Sequence, residues 1–417
     1  MTVIGLDDTD SRERGMCTTF LAATVADRLR AAGAHVERTL LVRLNPAVEY
    51  KTRGNAALAV HTDAAPEDAL AVVRDELGQA ETADPRTNPG VVIAEAVPPA
   101  VGTFAESAVR DLLSIDDARE LAADCGYELV ERGNGRGLVG ALAAVGAWRA
   151  FDDWTYECIS YRERERWGTP REVDYESVFD AADDAYPDAW DTVDREEGQA
   201  VCVPRTPCPI LHGIRGDDPD VVRDVAERID GEPVASRALF QTNQGTDVHL
   251  QDGVVGDLDD GRAYRVDGSV VDPPETREGG HVFFALGDGD ERVQCAAFEP
   301  TKRFRDRVRS LRTGDRLTVC GEVTDGTLKL EKFAVRDLDR TELVTPNCPD
   351  CGRSMKSAGR NQGYRCRDCG TSADGKVERP VERDLVRAWY EVPPCARRHV
   401  AKPLVRGGFD GPAIPEK

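Results

Sequence analysis

The sequence predicts a multidomain α+β protein, and three observations carry that prediction. Strands and helices alternate through residues 1–130. Five short strands with one helix follow at 262–340. Two Cys-x-x-Cys pairs then sit 14 residues apart near the C-terminus. At roughly 100–200 residues per domain, 417 residues allow two to four domains. The expected organisation is an α/β domain over 1–130, a ferredoxin-like domain over 131–255, an OB-fold barrel over 262–340, a zinc ribbon over 341–378 and a basic C-terminal tail over 379–417.

In the first segment, TVIGLDD, ERTLLVRLN, ALAVHTD and GVVIAEAV have the length and apolar content of strands. Leu21 to Ala32 is rich in Ala, Leu and Arg, with Gly33 as a stop signal. Pro66 to Leu77 carries proline in its first turn, and Phe104 to Leu113 and Ile115 to Asp124 also read as helices. Such alternation makes a layered α/β or α+β domain. The second segment opens on Gly133-Asn134-Gly135-Arg136-Gly137 and a run of small apolar residues to Trp148. It crosses an acid-rich stretch from Glu172 to Glu197, then continues through CVPRTPCPILHGIRG, a helix at Pro219 to Ile229, and ALFQTNQGTD. Strand, helix and strand at this spacing fit a ferredoxin-like sandwich.

YRVDGSVV, HVFFALGDG, ERVQCAAFE, DRLTVCGEV and TLKLEKFAV read as five strands, with FRDRVRSL as a helix between the third and fourth. Gly-Asp-Gly and Thr-Asp-Gly-Thr mark tight turns. This is the order of an OB-fold, another small barrel being the alternative. OB-folds bind oligonucleotides across strands two and three, where His281, Phe283 and Arg292 stand here; one of Phe283 and Phe284 must face the core.

Cys348, Cys351, Cys366 and Cys369 form the strongest physical signal. Four thiolates at about 2.3 Å satisfy tetrahedral Zn²⁺. Gly352 and Gly370 follow the pairs, where knuckle turns need positive φ. Redox chemistry is disfavoured because neither pair opens a helix after a strand; iron remains an alternative metal. Four thiolates make the site structural. Lys356, Arg360 and Tyr364 give the ribbon a basic face with one aromatic, suited to RNA.

The net charge is −22, and only eight of the 54 basic residues are lysine. Acid-rich, lysine-poor surfaces keep a protein solvated in very high salt, so the composition points to a halophilic cytosol. The acidic balance therefore does not exclude nucleic acid, as it would elsewhere. Residues 351–417 carry a net +6, against −28 for the rest, which suggests an anionic partner for the C-terminal end. No apolar run approaches the roughly 20 residues that span a bilayer. The start lacks the basic and apolar regions of a signal peptide, so a cytoplasmic location is expected. The cysteines are then thiols or metal ligands.

Asp7, Asp8 and Asp10 close the first strand. Three carboxylates in four residues repel one another, and Mg²⁺ bound to phosphates is a natural counter-charge; a solvated acidic turn is the alternative. Thr18 and Thr19 lie just ahead of a helix, a plausible anion cradle, and no Walker A motif occurs. Lys51, Arg53 and Asn55 form a second candidate; a rare lysine suggests a compact ammonium on a phosphate. The glycine-rich loop 133–137 and the polar loop from Gln241 to Asp247 are weaker candidates, the latter either a recognition surface or a turn.

The runs IGLDDTDSRERGMCTTFLA, LVRLNPAVEYKTRGNAAL, NPGVV, GNGRGLVGALAAVGAW, TYECISYRERERWGTPR, WDTVD, VPRTPCPILHGIRG, FQTNQGTD and VPPCARRHVAKPLVRGG closely resemble the archaeal isoleucine-tRNA 2-agmatinylcytidine synthetases, the TiaS family, in order and over essentially the whole chain. The resemblance implies a kinase-like N-terminal domain. It implies an ATP-dependent carbon–nitrogen ligase that replaces the C2 oxygen of the wobble cytidine, in the CAU-anticodon minor isoleucine tRNA, with the amine of agmatine through a phosphorylated cytidine. Carried over by position, Asp7, Asp8 and Asp10 hold Mg²⁺ and the ATP phosphates, and Thr18 is the autophosphorylated threonine. Thr19, Lys51, Arg53 and Asn55 border the nucleotide. Asp191 and Asp194 of WDTVD are candidates for the agmatine guanidinium, and the OB-fold and ribbon hold the tRNA. One departure is visible: a lysine is expected before the Asn of GNGRG, and Gly133 stands there. Two other readings remain: a non-enzymatic nucleic-acid-binding protein and a small-molecule kinase. Neither accounts for both the acidic N-terminal motifs and the RNA-type appendages.

Overall fold

The computed structural model describes residues 1–11, 15–49, 51 and 54–417. The chain begins with β1 (Thr2–Asp7), α1 (Thr18–Ala31), β2 (Val36–Arg43), β3 (Ala56–Thr62), α2 (Pro66–Glu76), β4 (Gly90–Ala94), α3 (Pro99–Arg110), α4 (Ile115–Asp124) and β5 (Glu128–Glu131). Next come α5 (Gly137–Ala150), β6 (Thr155–Arg162), α6 (Tyr175–Ala185), β7 (Ala189–Trp190), the short ladder β8 (Val193–Asp194) and β9 (Gln199–Ala200), β10 (Ile210–Gly216), α7 (Pro219–Arg228) and β11 (Val234–Thr242).

These elements build one nine-stranded sheet, ordered β5-β4-β1-β3-β2-β11-β6-β10-β7. Its neighbours are antiparallel except β2 and β11. Those two run parallel, with Gln241 opposite Leu40 and Thr242 opposite Leu41, and they join the two halves of the sheet. Side chains alternate between faces along each strand. Ile4, Leu6, Leu58 and Val60 therefore meet α1 and α2. Val3, Leu40, Ala57 and Ala59 meet α3, α4 and α5, and Cys158 and Ile214 meet α6 and α7. Helix α5 is built of Ala and Gly because it lies almost against the sheet: a Cβ on Gly5 would overlap the Ala141 carbonyl.

The OB-fold follows as β12 (Leu250–Gly253), β13 (Ala263–Thr276), β14 (Val282–Asp288), β15 (Glu291–Ala297), α8 (Phe304–Arg309), β16 (Arg316–Thr324) and β17 (Thr327–Asp337). Strand β13 pairs both β14 and β16, and β15 pairs β17, which closes the barrel. Phe284 lies in its core with Val266, Val319 and Phe333, leaving Phe283 on the outer face. The ribbon holds β18 (Thr341–Val344), β19 (Lys356–Ser357), β20 (Tyr364–Arg365), β21 (Ser372–Ala373) and β22 (Val377–Pro380), with β18 paired to β22.

The tail from residue 379 onward packs against the rest of the molecule, so its share of the C-terminal positive charge is used internally. Its strand β23 (Trp389–Glu391) pairs with β17. Its arginines are ion-paired inside the molecule: Arg383 with Asp315 at 2.6 Å, Arg397 with Glu391 at 2.7 Å, Arg398 with Glu322 at 2.7 Å and Arg406 with Asp217 at 2.7 Å. The tail's positive charge answers internal carboxylates, several of them buried, and straps the barrel to the sheet, while the ribbon's Lys356 and Arg360 stay exposed. Sequence charge alone does not distinguish the two uses.

Candidate active site

A cavity of about 640 Å³ opens where β1, β2 and β6 meet α1 and α5. The topology brings together on its wall Asp7, Asp8 and Asp10, Thr18 and Thr19, Lys51 and Asn55. Arg53 lies outside the described residues.

Asp7 ends β1, and its Oδ1 accepts the backbone N–H of Asp8 at 2.7 Å. Asp8 adopts φ 56°, a left-handed conformation that Asp and Asn tolerate better than most residues. Its Oδ2 accepts from Arg136 Nη2 at 2.8 Å and from the Asn88 backbone N–H at 3.1 Å. Burial pushes the Asp7 carboxyl well above the ordinary carboxylate range, with Asp8 adding repulsion. Burial likewise raises Asp8 to about 6, against the pull of Arg136. Burial and mutual repulsion together make a further cation favourable at this corner. Among the described residues, only the four ribbon cysteines bring three or more metal-ligand side chains within 4.8 Å of one another. The carboxylates are not a closed cage. Such an open set of hard oxygens fits Mg²⁺, which takes one or two carboxylates and completes its shell with phosphate oxygens and water.

The glycine-rich loop supports this corner. A Cβ on Gly137 would lie 2.7 Å from the Asn88 carbonyl oxygen and 2.9 Å from that of Asp7. Gly133 has φ 65°, and a side chain there would overlap Asn88 Oδ1. The position therefore demands glycine in this chain, which accounts for the missing lysine.

Thr18 is the first residue of α1, and both threonines are buried. The preceding Cys17 gives no side-chain cap, and no acid stands in the first turn. The helix N-terminus presents its positive dipole end to the cavity, a setting that favours an anion. Lys51 Nζ donates to the Val48 carbonyl at 3.3 Å, and Asn55, at φ 45°, donates from Nδ2 to the Asn45 carbonyl at 2.6 Å.

Sequence reasoning missed two wall residues. Arg43 ends β2 with Nε donating to Gln244 Oε1 at 2.8 Å and Nη2 to Glu157 Oε2 at 3.4 Å. Glu157, on β6, also faces Arg215 at 3.4 Å. The signal for both was a charged residue inside an apolar strand, where β-alternation buries it.

Asp191 and Asp194 lie elsewhere. Neither lines the cavity. Asp191 pairs with Arg397 at 3.2 Å, and Asp194 with Arg303 at 3.0 Å and the Cys395 N–H at 3.3 Å. They anchor the C-terminal segment through the guanidiniums of Arg397 and Arg303.

On the OB-fold, Phe283 carries the Arg277 guanidinium 4.2 Å over its ring, and the exposed Arg292 lies 3.6 Å from Asp272. Lys356 and Arg360 are exposed on the ribbon, while Tyr364 is half-buried against the cysteine cluster. Cys351 and Cys366 sulfurs stand 3.6 Å apart. Tetrahedral bonds of about 2.3 Å require sulfurs about 3.8 Å apart, so the four sulfurs fit Zn²⁺. Cys366→Ser is expected to abolish stoichiometric zinc and weaken RNA binding while leaving nucleotide binding intact, because the ribbon shares no core with the cavity. Metal analysis and RNA titration check this; full RNA affinity in the zinc-free variant would refute a binding role for the ribbon.

The chain matches the TiaS TCKD domain over residues 3–134, the TiaS FLD domain over 135–249, the OB-fold nucleic acid binding domain over 264–331 and the TiaS C-terminal zinc ribbon domain over 345–385. It is 53% identical to the isoleucine-tRNA 2-agmatinylcytidine synthetase TiaS of Haloquadratum walsbyi, covering 100% of both chains. It superimposes on the crystal structure of a complex of TiaS with isoleucine tRNA and ATP with a TM-score of 0.90 at 42% identity, covering 100% of this chain and 99% of that one. A complex of TiaS with isoleucine tRNA, AMPCPP and agmatine gives 0.88 at 40% identity with the same coverage. The acid-rich composition agrees with the Haloquadratum relative.

Proposed function

The chain belongs to the TiaS family of isoleucine-tRNA 2-agmatinylcytidine synthetases, and from that premise we propose that it uses ATP to join agmatine to C2 of the wobble cytidine of the CAU-anticodon isoleucine tRNA. The observation that carries this to the residues is the cavity wall. It unites an acid cluster, a helix N-terminus and a lysine in a chain with an OB-fold and a zinc ribbon.

A C2 oxygen is a poor leaving group. Phosphorylation at O2 converts it into one, so that the agmatine amine adds at C2 and phosphate departs. Thr18 and Thr19 receive phosphate oxygens at the start of α1, with Lys51 and Asn55 bordering the nucleotide. Thr18, buried on the cavity wall, is placed to accept a phosphoryl group itself. Asp7, Asp8 and Asp10 would hold Mg²⁺, which neutralises phosphate charge when bound. Arg136 fixes the Asp8 carboxylate. Phe283, Arg292, Lys356, Arg360 and Tyr364 are assigned to tRNA, by stacking and phosphate contact. A cytoplasmic location follows from these substrates, and no helix among the described residues is long and apolar enough to cross a membrane.

Mass spectrometry of isoleucine tRNA after incubation with enzyme, ATP and agmatine tests the reading. The expected result is agmatine bonded through its amine nitrogen at C2 of the anticodon cytidine, dependent on ATP; unmodified tRNA would sink it. RNA binding is expected to persist at molar KCl with a shallow salt slope, because stacking depends little on counterion release. Loss of binding above modest salt would contradict the stacking assignment.

A further inference from the structure

Three parts of the chain converge on two backbone carbonyls at the cavity wall. Asn243 Oδ1 accepts the Arg43 N–H at 2.7 Å, and its Nδ2 donates to the Arg43 carbonyl at 3.0 Å. Six residues on, His249 Nε2 meets the same carbonyl at 3.2 Å. From the C-terminal strap, His399 Nε2 meets the Leu44 carbonyl at 3.3 Å. The two imidazoles pack with centroids 5.1 Å apart. Carbonyl oxygens only accept, so each Nε2 carries its proton. Burial lowers the His249 pKa to about 4 and holds that of His399 well below the ordinary histidine range, which keeps both rings neutral.

The loop between Asn243 and His249 is itself pinned. Asp247 pairs with Lys332, buried in the OB-fold, at 2.8 Å, and accepts the Lys402 N–H of the strap at 2.7 Å. Gln244, on the same loop, accepts from Arg43 Nε at 2.8 Å. Backbone and guanidinium of Arg43 are therefore both set by a loop that the barrel and the strap hold in place. The guanidinium edge lies beside Gly54, where a Cβ would come 2.7 Å from Nη1. A fixed cation on a cavity wall that also carries Lys51 and the start of α1 suits a phosphate.

We propose that Arg43 binds a nucleotide phosphate in this cavity and that Asn243, Gln244, His249 and His399 are positioning residues for it, so that the C-terminal strap and the OB-fold complete the active site. The proposal rests on the ATP-dependent reading above.

A double-mutant cycle on the full-length protein tests it. His399→Ala is expected to raise KM for ATP about tenfold or more, with KM for tRNA unchanged, at temperatures well below its Tm. His399→Gln, which keeps an N–H near the Nε2 position, should restore most of that loss. In an Arg43→Ala background, His399→Ala should have no further effect on the ATP parameters, because the residue through which it acts is gone. Additive losses would overturn the proposal, as would a loss that tracks Tm alone or a KM change confined to tRNA. Direct Mg²⁺-ATP titration of the same four proteins gives a second readout. It keeps the cycle readable even if wild-type protein fails to modify tRNA, so failure of the reaction and failure of the clamp are told apart.

Discussion

Asp8→Asn is expected to keep the fold and abolish agmatine transfer, with a loss of at least about 10²-fold, equivalent to about 2.7 kcal/mol of transition-state stabilisation. The fold should survive because asparagine accepts φ 56° as readily as aspartate and can still accept the Asn88 N–H. The activity should not, because positioning and charge neutralisation supply most of phosphoryl transfer. Stability without nucleotide should hold or rise by no more than about 3 kcal/mol. The sign follows from the raised pKa. The folded protein binds the Asp8 proton up to about pH 6, while the unfolded chain releases it near 3.8, so the wild-type apo protein loses stability as pH rises through that window. Asparagine cannot ionise, and the decline should flatten. Stabilisation by Mg²⁺-ATP should shrink in the mutant by mass action. Melting temperatures of both proteins across pH 4–7, with and without Mg²⁺-ATP, measure every part of this. Equal responses to nucleotide would remove the acid cluster from the site and leave Lys51 and the helix N-terminus to hold the phosphates.

The sequence made local chemistry legible and long-range pairing illegible. The four cysteines converge because each Cys-x-x-Cys turn aims two thiolates at one point. The Phe283 or Phe284 alternative was set by β-alternation, and the core took Phe284. The strand carrying Arg43 was readable, but its purpose was not. Arg43 acquires Asn243, Gln244 and Glu157 only through the parallel pairing of β2 with β11, about two hundred residues apart in the chain. No local pattern encodes that contact. The polar loop from Gln241 to Asp247 read as either turn or recognition surface for the same reason. Asp191 and Asp194 read from the sequence as partners for a guanidinium, and the guanidiniums beside them in the fold are Arg397 and Arg303 of this chain. The C-terminal charge divides in a way the sequence does not display: the tail's arginines pair with carboxylates elsewhere in the chain, while the ribbon's Lys356 and Arg360 remain exposed.

Gly140→Ala should be nearly as damaging to activity as the loss of a carboxylate, although it adds one methyl group. Gly140 lies in the first turns of α5, where its Cα faces the end of β1. A Cβ there would overlap Asp7 Oδ2 and stand 2.6 Å from its Cγ and 3.0 Å from Leu44 Cδ1. The nearest obstacle is a side-chain carboxylate, so Asp7 must turn away while the helix stays in place. Overpacking costs about 1–3 kcal/mol and replacing glycine within a helix returns about 0.5–1 kcal/mol, so the net loss of stability should stay within about 2.5 kcal/mol. Misplacing a catalytic group by about 1 Å can cost about 10²-fold in rate, and the turned Asp7 carboxylate would no longer stand where β1 now holds it. Gly78→Ala is the matched control, since no atom lies within 4 Å of a Cβ built there; its activity and melting temperature should equal those of the wild type. Agmatine transfer, apo melting temperature and Mg²⁺-ATP affinity should be measured for both variants. A folded Gly140→Ala protein with normal transfer would mean that the reaction tolerates a displaced Asp7. The acid cluster would then reduce to Asp8 and Asp10, and the close approach of α5 to β1 would be a matter of packing alone.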